Sequence, residues 1–345
     1  MRYIGGKSLL LDKIINAIKE NATDIHSVID IFAGSGVVSQ RFKKEGYKVY
    51  SNDFLYFSYV INRCLVGINK PVNFTGLKQL NISDPLIYLN NLTIDKTNIK
   101  IKDCFIHNNY SPNKNCDRMY FQPKNALKID IIRITIEEWY KNNFITEDEY
   151  YYLIASLVLA VPYISNVAGM YGAYLKFWDK RTYNDLELKS PELTFYENKC
   201  EVFNENYIDL LPKIKADVLY ADPPYNGRQY LPNYHILETI AKYDYPEING
   251  VTGMRNYDNQ KSDFCKSTTA KDAFEKLIKY ADVKYVVISY NNESLLSTEE
   301  LTELCKKYAK ENTFKLIEMD YRRYKSKIPN NDKGLKEQIY FFEKI

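Results

Sequence analysis

The chain has 345 residues, of which 45% are hydrophobic and 26% are charged. This length exceeds what one small hydrophobic core usually serves, so we expect an α/β domain of roughly 200 residues that carries a second module. The net charge of +3 neither demands nor excludes a nucleic-acid partner, and any basic surface must be local.

The sequence argues against a disulfide-bonded protein, a zinc protein and a membrane protein. The six cysteines form no C-x-x-C pair, which predicts reduced thiols rather than a disulfide framework. Cys104, His107 and Cys116 could supply three zinc ligands, but no fourth ligand follows at a convincing spacing, so we expect no metal. The longest apolar run, residues 153–161, is too short to span a bilayer, and no signal segment precedes it. We therefore expect a soluble, cytoplasmic protein.

A glycine turn lies close to the N-terminus. Gly5, Gly6 and Lys7 precede apolar residues at helical spacing, which predicts an amphipathic helix over about residues 9–18. Such a turn can bring backbone N–H groups to a carboxylate. The alternative, which these residues alone favour, is a flexible N-terminus ahead of a surface helix.

A second glycine motif follows the first predicted strand. Residues 28–32 form a buried apolar strand, and 33–36 (A-G-S-G) then lead into a helix. Glycine here lets the main chain approach a ligand at the carboxyl end of a parallel strand. The next strand, 48–51, is followed by Asp53, about 20 residues beyond the glycines, where an acid can hold a ribose hydroxyl pair. Together these features predict a nucleoside-containing ligand.

The alternation of strands and helices disappears between residues 70 and 195. Helical patterns occur at 129–140 and 147–161, so we interpret 70–195 as an inserted, largely helical module. Residues 171–181 interleave aromatic side chains with cations, a pattern that suits a surface lying along phosphates and bases. The alternative is a helix packed by its aromatic residues, with solvated charges.

The α/β pattern then resumes. The last two predicted strands could form an antiparallel pair at a sheet edge. The expected strands are 200–203, 217–222, 285–289, 314–319 and 338–342, and the expected helices are 207–211, 234–241, 270–280 and 301–308, with long loops at 226–230 and about 250–267.

The strand at 217–222 ends in Asp222-Pro223-Pro224-Tyr225. The two prolines can continue neither a helix nor a strand ladder, so the loop opens where the strand stops. The Asp222 carboxylate and nearby carbonyls can then converge on one small polar group. The exocyclic amino group of a nucleobase fits, because each of its N–H groups needs an acceptor once the base leaves the stack. The alternative is a plain turn that ends a strand.

This D-P-P-Y segment resembles motif IV of the S-adenosylmethionine-dependent N6-adenine and N4-cytosine methyltransferases. Nearly the whole chain resembles D12-class, α-group DNA adenine-N6 methyltransferases, most of all the modification enzymes of type II and type IIS restriction systems. The segments that carry the resemblance are 3–7 (Y-I-G-G-K), 30–36 (D-I-F-A-G-S-G), Asp53, 167–176, 222–235 (D-P-P-Y-N-G-R-Q-Y-L-P-N-Y-H) and 289–292.

The resemblance implies a Rossmann-like methyltransferase fold: a mixed, mostly parallel sheet with helices on both faces. The catalytic domain would comprise 1–69 and 196–345, and 70–195 would be the target-recognition module. Asn206 stands where the family usually has an acid that binds the cofactor's adenine; its amide oxygen can still accept a hydrogen bond. The implied catalytic residues are Asp222, Pro223, Pro224 and Tyr225. The implied cofactor-binding residues are Tyr3, Gly5, Gly6, Lys7, Asp30, Phe32, Ala33, Gly34, Ser35, Gly36, Asp53, Asn206 and Asp222. The implied DNA-binding residues are Lys176, Lys180, Arg181, Arg228 and Tyr230.

The implied reaction is direct methyl transfer from S-adenosylmethionine to N6 of a flipped adenine in double-stranded DNA, without a metal or covalent intermediate. The implied partners are DNA and a cognate restriction endonuclease. Three alternatives remain open: an RNA base methyltransferase, a noncatalytic nucleic-acid-binding subunit, and a glutamine-N5 protein methyltransferase, which would normally carry Asn in place of Asp222.

Overall fold

The structure is a computed structural model that describes residues 4–196, 199–320 and 336–345. Its described residues form two compact units. The helical unit consists of Leu55–Phe195 and Tyr230–Asn259, together with Ile4. The sheet unit consists of the described parts of Gly5–Phe54, Tyr196–Gln229 and Gln260–Ile345. The helical unit thus begins earlier than the predicted residue 70 and includes a later segment; the role of residues 70–195 as a recognition module stays a prediction.

Nine strands occur among the described residues. They are β1 (Ser27–Asp30), β2 (Lys48–Asn52), β3 (Glu201–Phe203), β4 (Lys215–Ala221), β5 (Ile248–Asn249), β6 (Met254–Arg255), β7 (Asp282–Asn291), β8 (Lys315–Asp320) and β9 (Lys336–Glu343). Seven of them form one sheet in the order β3-β2-β1-β4-β7-β9-β8. Strand β9 pairs antiparallel with β7 and β8, and the other pairings in this sheet are parallel. The predicted mostly parallel sheet and its antiparallel closing pair are therefore confirmed.

Eleven α-helices connect or follow these strands in the described ranges. They are α1 (Leu11–Asn21), α2 (Val37–Lys44), α3 (Tyr56–Asn62), α4 (Pro85–Asn90), α5 (Phe105–Tyr110), α6 (Pro123–Lys141), α7 (Glu147–Ala160), α8 (Tyr207–Leu210), α9 (Leu231–Lys242), α10 (Ser267–Tyr280) and α11 (Thr298–Tyr308). A π-helical turn, Arg63–Gly67, continues α3. Among the described residues no helix is both long and apolar enough to cross a membrane.

The sheet of the sheet unit is covered by helices on both faces. Alternate residues of a strand point to opposite faces. Leu219 and Ala221 of β4 belong to a core that also contains apolar residues of α8, α10 and α11. Tyr220, between them, faces the other way and contacts the ring of Phe42 in α2, with centroids 5.7 Å apart. Helix α1 contacts β9. Burial on both faces explains the almost continuous apolar run of β4.

The helical unit has its own apolar core, built from α3, α6, α7 and α9. Helix α7 begins with a capping box, in which Thr146 and Glu149 exchange hydrogen bonds. Glu238 of α9 is fully buried, and its carboxylate accepts hydrogen bonds from the backbone N–H groups of Tyr56 and Phe57 at the start of α3. An acid at this end of a helix satisfies N–H groups that have no partner within the helix. The short α3, α4 and α5 and the β5–β6 hairpin were not predicted, because none of them is long enough to show a period.

Candidate active site

The site lies where the strand order of the sheet reverses. Strands β1 and β4 are neighbours and parallel, with Asp30 opposite Tyr220. The chain proceeds from β1 towards β2 on one side and from β4 towards β7 on the other. In open α/β sheets, ligands bind beyond the carboxyl ends of strands at such a switch point. The glycine loop 31–36 and the Asp222–Tyr225 loop both begin there, as the sequence motifs predicted.

The glycine loop has a tight, left-handed backbone. Gly34 has a φ of +53° and Gly36 a φ of +77°, values that residues other than glycine rarely adopt. The backbone N–H of Ala33 donates to the Asn52 carbonyl at 2.8 Å, which ties the loop to β2. The N–H of Gly34 donates to Oδ2 of Asp53 at 2.7 Å. Asp53 therefore fixes the loop, a role that the spacing of the motifs did not suggest.

Asp30 supplies a buried carboxylate at the base of this loop. Only 1% of the residue is exposed, and Ser39 Oγ donates to its Oδ2 at 2.7 Å. Its Oδ1 has no hydrogen-bond partner among the described atoms. Burial raises the pKa of Asp30 to about 7; the Ser39 hydrogen bond lowers it, and the charges of Asp222 and Asp53 raise it further. A buried acceptor of this kind fits a ligand that brings a cation or an N–H donor.

Three aromatic rings pack beside the loop. The half-buried Phe32 lies 5.8 Å from Tyr207 and 5.2 Å from the buried Phe264, measured between ring centroids. Tyr207 and Phe264 were missed by the sequence reasoning, because isolated aromatic residues carry no signal. Asn206, the expected adenine ligand, caps the short α8: its Oδ1 accepts from the N–H of Ile208 at 3.4 Å. Its role towards a cofactor stays a prediction.

A buried lysine lies between two carboxylates. Lys7 Nζ is 3.2 Å from Oδ1 of Asp222 and 3.0 Å from Oε2 of Glu337, and the Lys7 side chain is 3% exposed. Burial alone would lower the pKa of Lys7, but the Asp222 and Glu337 carboxylates outweigh it, so the pKa is raised and the ammonium stays charged. Burial raises the pKa of Asp222 to about 6; the Lys7 charge lowers it and the Glu337 charge raises it. Glu337, in β9, was not anticipated from the sequence.

The rest of the D-P-P-Y segment is held close to this ion-pair cluster. Pro223 is buried and Pro224 partly exposed. The partly exposed Tyr225 has its ring centroid 5.8 Å from Lys7 Nζ, and its backbone carbonyl accepts from the N–H of Leu295 at 3.2 Å. The loop is thus anchored through its main chain, while part of the Tyr225 ring remains accessible to a ligand.

The N-terminal turn contributes mainly the Lys7 side chain. Gly5 has a φ of +72°, and the carbonyl of Lys7 accepts from the N–H of Leu10 at 2.8 Å. Gly6 and Ser35 are partly exposed. Tyr3, another predicted ligand, lies outside the described residues. The side-chain contacts of Lys7 tie this turn to Asp222 and Glu337.

The predicted DNA-binding residues differ in their surroundings. Lys176 and Lys180 are exposed in the helical unit. Arg181 is less available, because it donates to the Val167 carbonyl and lies 3.6 Å from Asp179. Arg228 of the sheet unit is exposed.

Tyr230 and the aromatic residues of the segment 171–181 also differ in exposure. Tyr230, which precedes α9, is partly buried. Phe177 is 67% exposed, whereas Tyr171 is 3% exposed. The aromatic residues of 171–181 thus include both core and surface positions. No cluster of three or more metal-binding side chains occurs within the described ranges.

Comparison with known protein families shows which family the chain belongs to. The sequence profile described as "D12 class N6 adenine-specific DNA methyltransferase" matches residues 3–304. The chain belongs to this family. The resemblance inferred from the motifs is thereby confirmed.

Several modification methyltransferases are similar to the chain. The type II methyltransferase M.FokI of Planomicrobium okeanokoites is 44% identical over 347 residues, and the modification methylase StsI of Streptococcus sanguinis is 40% identical over 347 residues. Both alignments include 100% of this chain but only 53% and 52% of those proteins, so the chain spans about half their length. The type II methyltransferase M.NlaIII of Neisseria lactamica is 34% identical over 331 residues, which are 94% of this chain and 93% of that protein.

The D12 match includes the glycine loop, Asp53 and the D-P-P-Y segment. It ends before Glu337. The carboxylate that completes the Lys7 cluster therefore lies beyond the part of the chain by which the family is recognised.

Proposed function

We propose that this D12-family chain transfers a methyl group from S-adenosylmethionine to the N6 amino group of adenine at a specific site in double-stranded DNA. The observation that carries the proposal is the position of the Asp222–Tyr225 loop. The loop carries a largely buried carboxylate and a partly exposed aromatic residue, and it begins on the strand next to the one that leads into the glycine loop, at the switch point of the sheet. A methyl donor and an acceptor amine can meet only where both binding sites adjoin.

The glycine loop fits the proposed cofactor. The unpartnered Oδ1 of the buried Asp30 needs a donor or a cation, and S-adenosylmethionine carries both. Gly34 and Gly36 leave room for close approach of the main chain, and Asp53 supplies an acceptor for ribose hydroxyls. Phe32 offers an aromatic surface for the adenine. When bound, the cofactor supplies a methyl group that is already activated by its sulfonium.

The residues of the D-P-P-Y loop act on the other substrate. The Asp222 carboxylate accepts a hydrogen bond from the N6 amine, and the Pro223 carbonyl accepts a second. These hydrogen bonds withdraw the nitrogen lone pair from conjugation with the ring, which makes a weak nucleophile usable. Tyr225 stacks on the flipped base, a contact worth about 1 to 3 kcal/mol. Removal of the base from the duplex is required because its N6 cannot be reached inside the stack.

The relatives support the biological context. M.FokI and M.NlaIII are named as type II methyltransferases. We accordingly propose that the chain protects DNA in the cytoplasm against a cognate restriction endonuclease. Lys176, Lys180 and Arg228 are exposed cations that can contact phosphates.

The proposal is tested by methyl transfer to three kinds of substrate. The purified chain is given methyl-labelled S-adenosylmethionine with double-stranded DNA, RNA or protein. We expect label only in N6-methyladenine of DNA, and none with the Asp222→Ala variant. Label in RNA or in glutamine would instead support the alternative methyltransferases, and label in no substrate would support a noncatalytic binding protein.

Methylation-aware sequencing then identifies the target. DNA from cells that express the chain alone should carry methylated adenine in one recognition sequence. Modification at adenines without any shared sequence would contradict site specificity while leaving the reaction itself intact.

A further inference from the structure

Glu337 is a buried acid at the candidate site that the proposed chemistry does not use. It is the second residue of β9 and pairs with Asn291 of β7 across the antiparallel ladder. Its side chain is 7% exposed, and its Oε2 lies 3.0 Å from Lys7 Nζ. A carboxylate buried in a sheet costs free energy unless it is paired, so this contact needs an explanation.

Lys7, Asp222 and Glu337 form a cluster in which one ammonium faces two carboxylates. Lys7 is within ion-pair distance of both Asp222 and Glu337. An ammonium has three N–H donors and can satisfy two acceptors at once. If Asp222 were its only partner, the ammonium would compete with any amine that approaches the same carboxylate. A second carboxylate offers the ammonium an alternative partner at almost the same distance.

We propose that Glu337 is a positioning residue that retains the Lys7 ammonium and so leaves the Asp222 carboxylate available to the target amine. This role rests on the proposed methyl transfer and adds to it a residue outside the region of the family match. With Glu337 in place, Lys7 stays near the loop and neutralises the cluster in part. Asp222 then keeps its capacity to accept a hydrogen bond from N6.

The charges around Asp222 determine how its protonation should respond. Lys7 faces it from the N-terminal turn, Glu337 from β9 and Asp30 from β1. Tyr220 adjoins it on β4 and Tyr225 in the loop, and burial keeps the Tyr220 hydroxyl neutral by raising its pKa. Of these groups, Glu337 favours protonation of Asp222 and Lys7 opposes it, whereas the Asp222 charge favours protonation of Asp30. Removal of the Glu337 charge should therefore keep Asp222 ionised at lower pH.

The test is the pH profile of Glu337→Gln, which removes the charge but retains an acceptor oxygen. The value of kcat/KM for DNA is measured from pH 5 to pH 9, since it reports the protonation of the free enzyme. We expect the acidic limb to move to lower pH by about one pH unit. The plateau rate should fall roughly tenfold, because Lys7 then pairs with Asp222 alone.

Two further variants separate positioning from support of the fold. Glu318→Gln in β8 makes the same change at a side chain that is 41% exposed and paired with Lys336, so its profile should match that of the wild type. Glu337→Asp keeps the negative charge but shortens the reach to Lys7. It should restore the acidic limb towards the wild-type position while the plateau rate stays reduced.

The outcomes distinguish this role from the function on which it rests. A wild-type chain that methylates no DNA overturns the proposed function, and with it the role of Glu337. An active wild type together with a Glu337→Gln variant of unchanged acidic limb overturns the role alone, and a lowered Tm without that change marks Glu337 as a structural residue. Should the glutamine variant fail to fold, Glu337→Asp decides the question: a wild-type plateau rate would refute the positioning role.

Discussion

Replacement of Asp222 by Asn should make the protein more stable and nearly inactive. Asn keeps the shape of the side chain but resembles the protonated carboxyl. In the folded protein, burial raises the pKa of Asp222 from 3.8 to about 6, even though the Lys7 ion pair opposes this. The side chain is only 17% exposed, so solvent screens the penalty weakly.

The magnitude follows from that difference. Between 3.8 and about 6, the free energy of keeping the group ionised in the folded protein is about 3 kcal/mol. At pH 8 the wild type carries this penalty in full, and Asp222→Asn should raise the free energy of unfolding by up to about 3 kcal/mol. As the pH falls from 6 towards 3.8, the folded wild type binds its proton before the unfolded chain does. Its stability then approaches that of the variant, and the difference disappears.

The activity should change in the opposite direction. Loss of one charged acceptor at the reacting nitrogen costs about 3 kcal/mol of transition-state stabilisation, roughly a 100-fold loss of rate. Such a gain in stability at the expense of activity is typical of a strained functional group.

Two measurements check both halves of the prediction. Urea unfolding at pH 8 and pH 5 gives the stability difference, and single-turnover methyl transfer gives the rate. The control is Asp272→Asn on α10, at a side chain that is 64% exposed. It should change stability by less than about 0.5 kcal/mol at either pH. An Asp222→Asn variant that is less stable at pH 8, or that keeps more than a third of the rate, would refute the reasoning.

Three further predictions concern binding. Gly36→Val should block the close approach of the glycine loop to S-adenosylmethionine, and Asp53→Ala should weaken the binding of this cofactor by about 1 to 3 kcal/mol. A titration that gives unchanged affinity in a folded variant would place the cofactor elsewhere. Joint replacement of Lys176 and Lys180 by Ala should lower the salt slope of DNA binding by about two, and an unaltered slope would show that these lysines contact no phosphate. Tyr225→Phe should stay active, whereas Tyr225→Ala should lose turnover and leave a flipped 2-aminopurine probe brighter than wild type does; equal inactivity of both variants would assign the hydroxyl a chemical role.

The parts of the site that the sequence could predict all come from short segments. The glycine loop and the D-P-P-Y loop each follow an apolar strand directly, and the carboxyl ends of neighbouring parallel strands meet at one edge of a sheet. The position of Asp53 beside the glycine loop follows from its spacing to the glycines in the same way, whereas its contact with a ribose stays a prediction. Such local patterns give the position of a residue on its own strand, and topology then brings the strands together.

The parts that could not be predicted depend on distant pairing. Glu337 lies 330 residues from Lys7, and an apolar run predicts a strand at 338–342 without identifying its neighbours. That β9 lies between β7 and β8 decides which acid meets the lysine. The Lys7 side chain was assigned to the cofactor turn, whereas the structure shows an ion pair with the D-P-P-Y loop as well. Neither the Lys7–Glu337 nor the Lys7–Asp222 ion pair can be read from the sequence, because each forms only when the strands pair in the sheet.

The electrostatics of the sheet unit give a reason for the proposed choice of substrates. Asp30 and Glu337 are buried and Asp222 is largely so, and among the described residues the Lys7 ammonium lies within ion-pair distance of Asp222 and Glu337. Excess negative charge in a buried site repels phosphate and attracts cations. The DNA backbone is therefore disfavoured there, whereas a neutral base that has left the duplex is not, and the positive sulfonium of S-adenosylmethionine is favoured. We therefore expect the phosphate contacts to come from exposed cations such as Lys176 and Lys180, so that affinity for DNA and chemistry on its base rest on different residues.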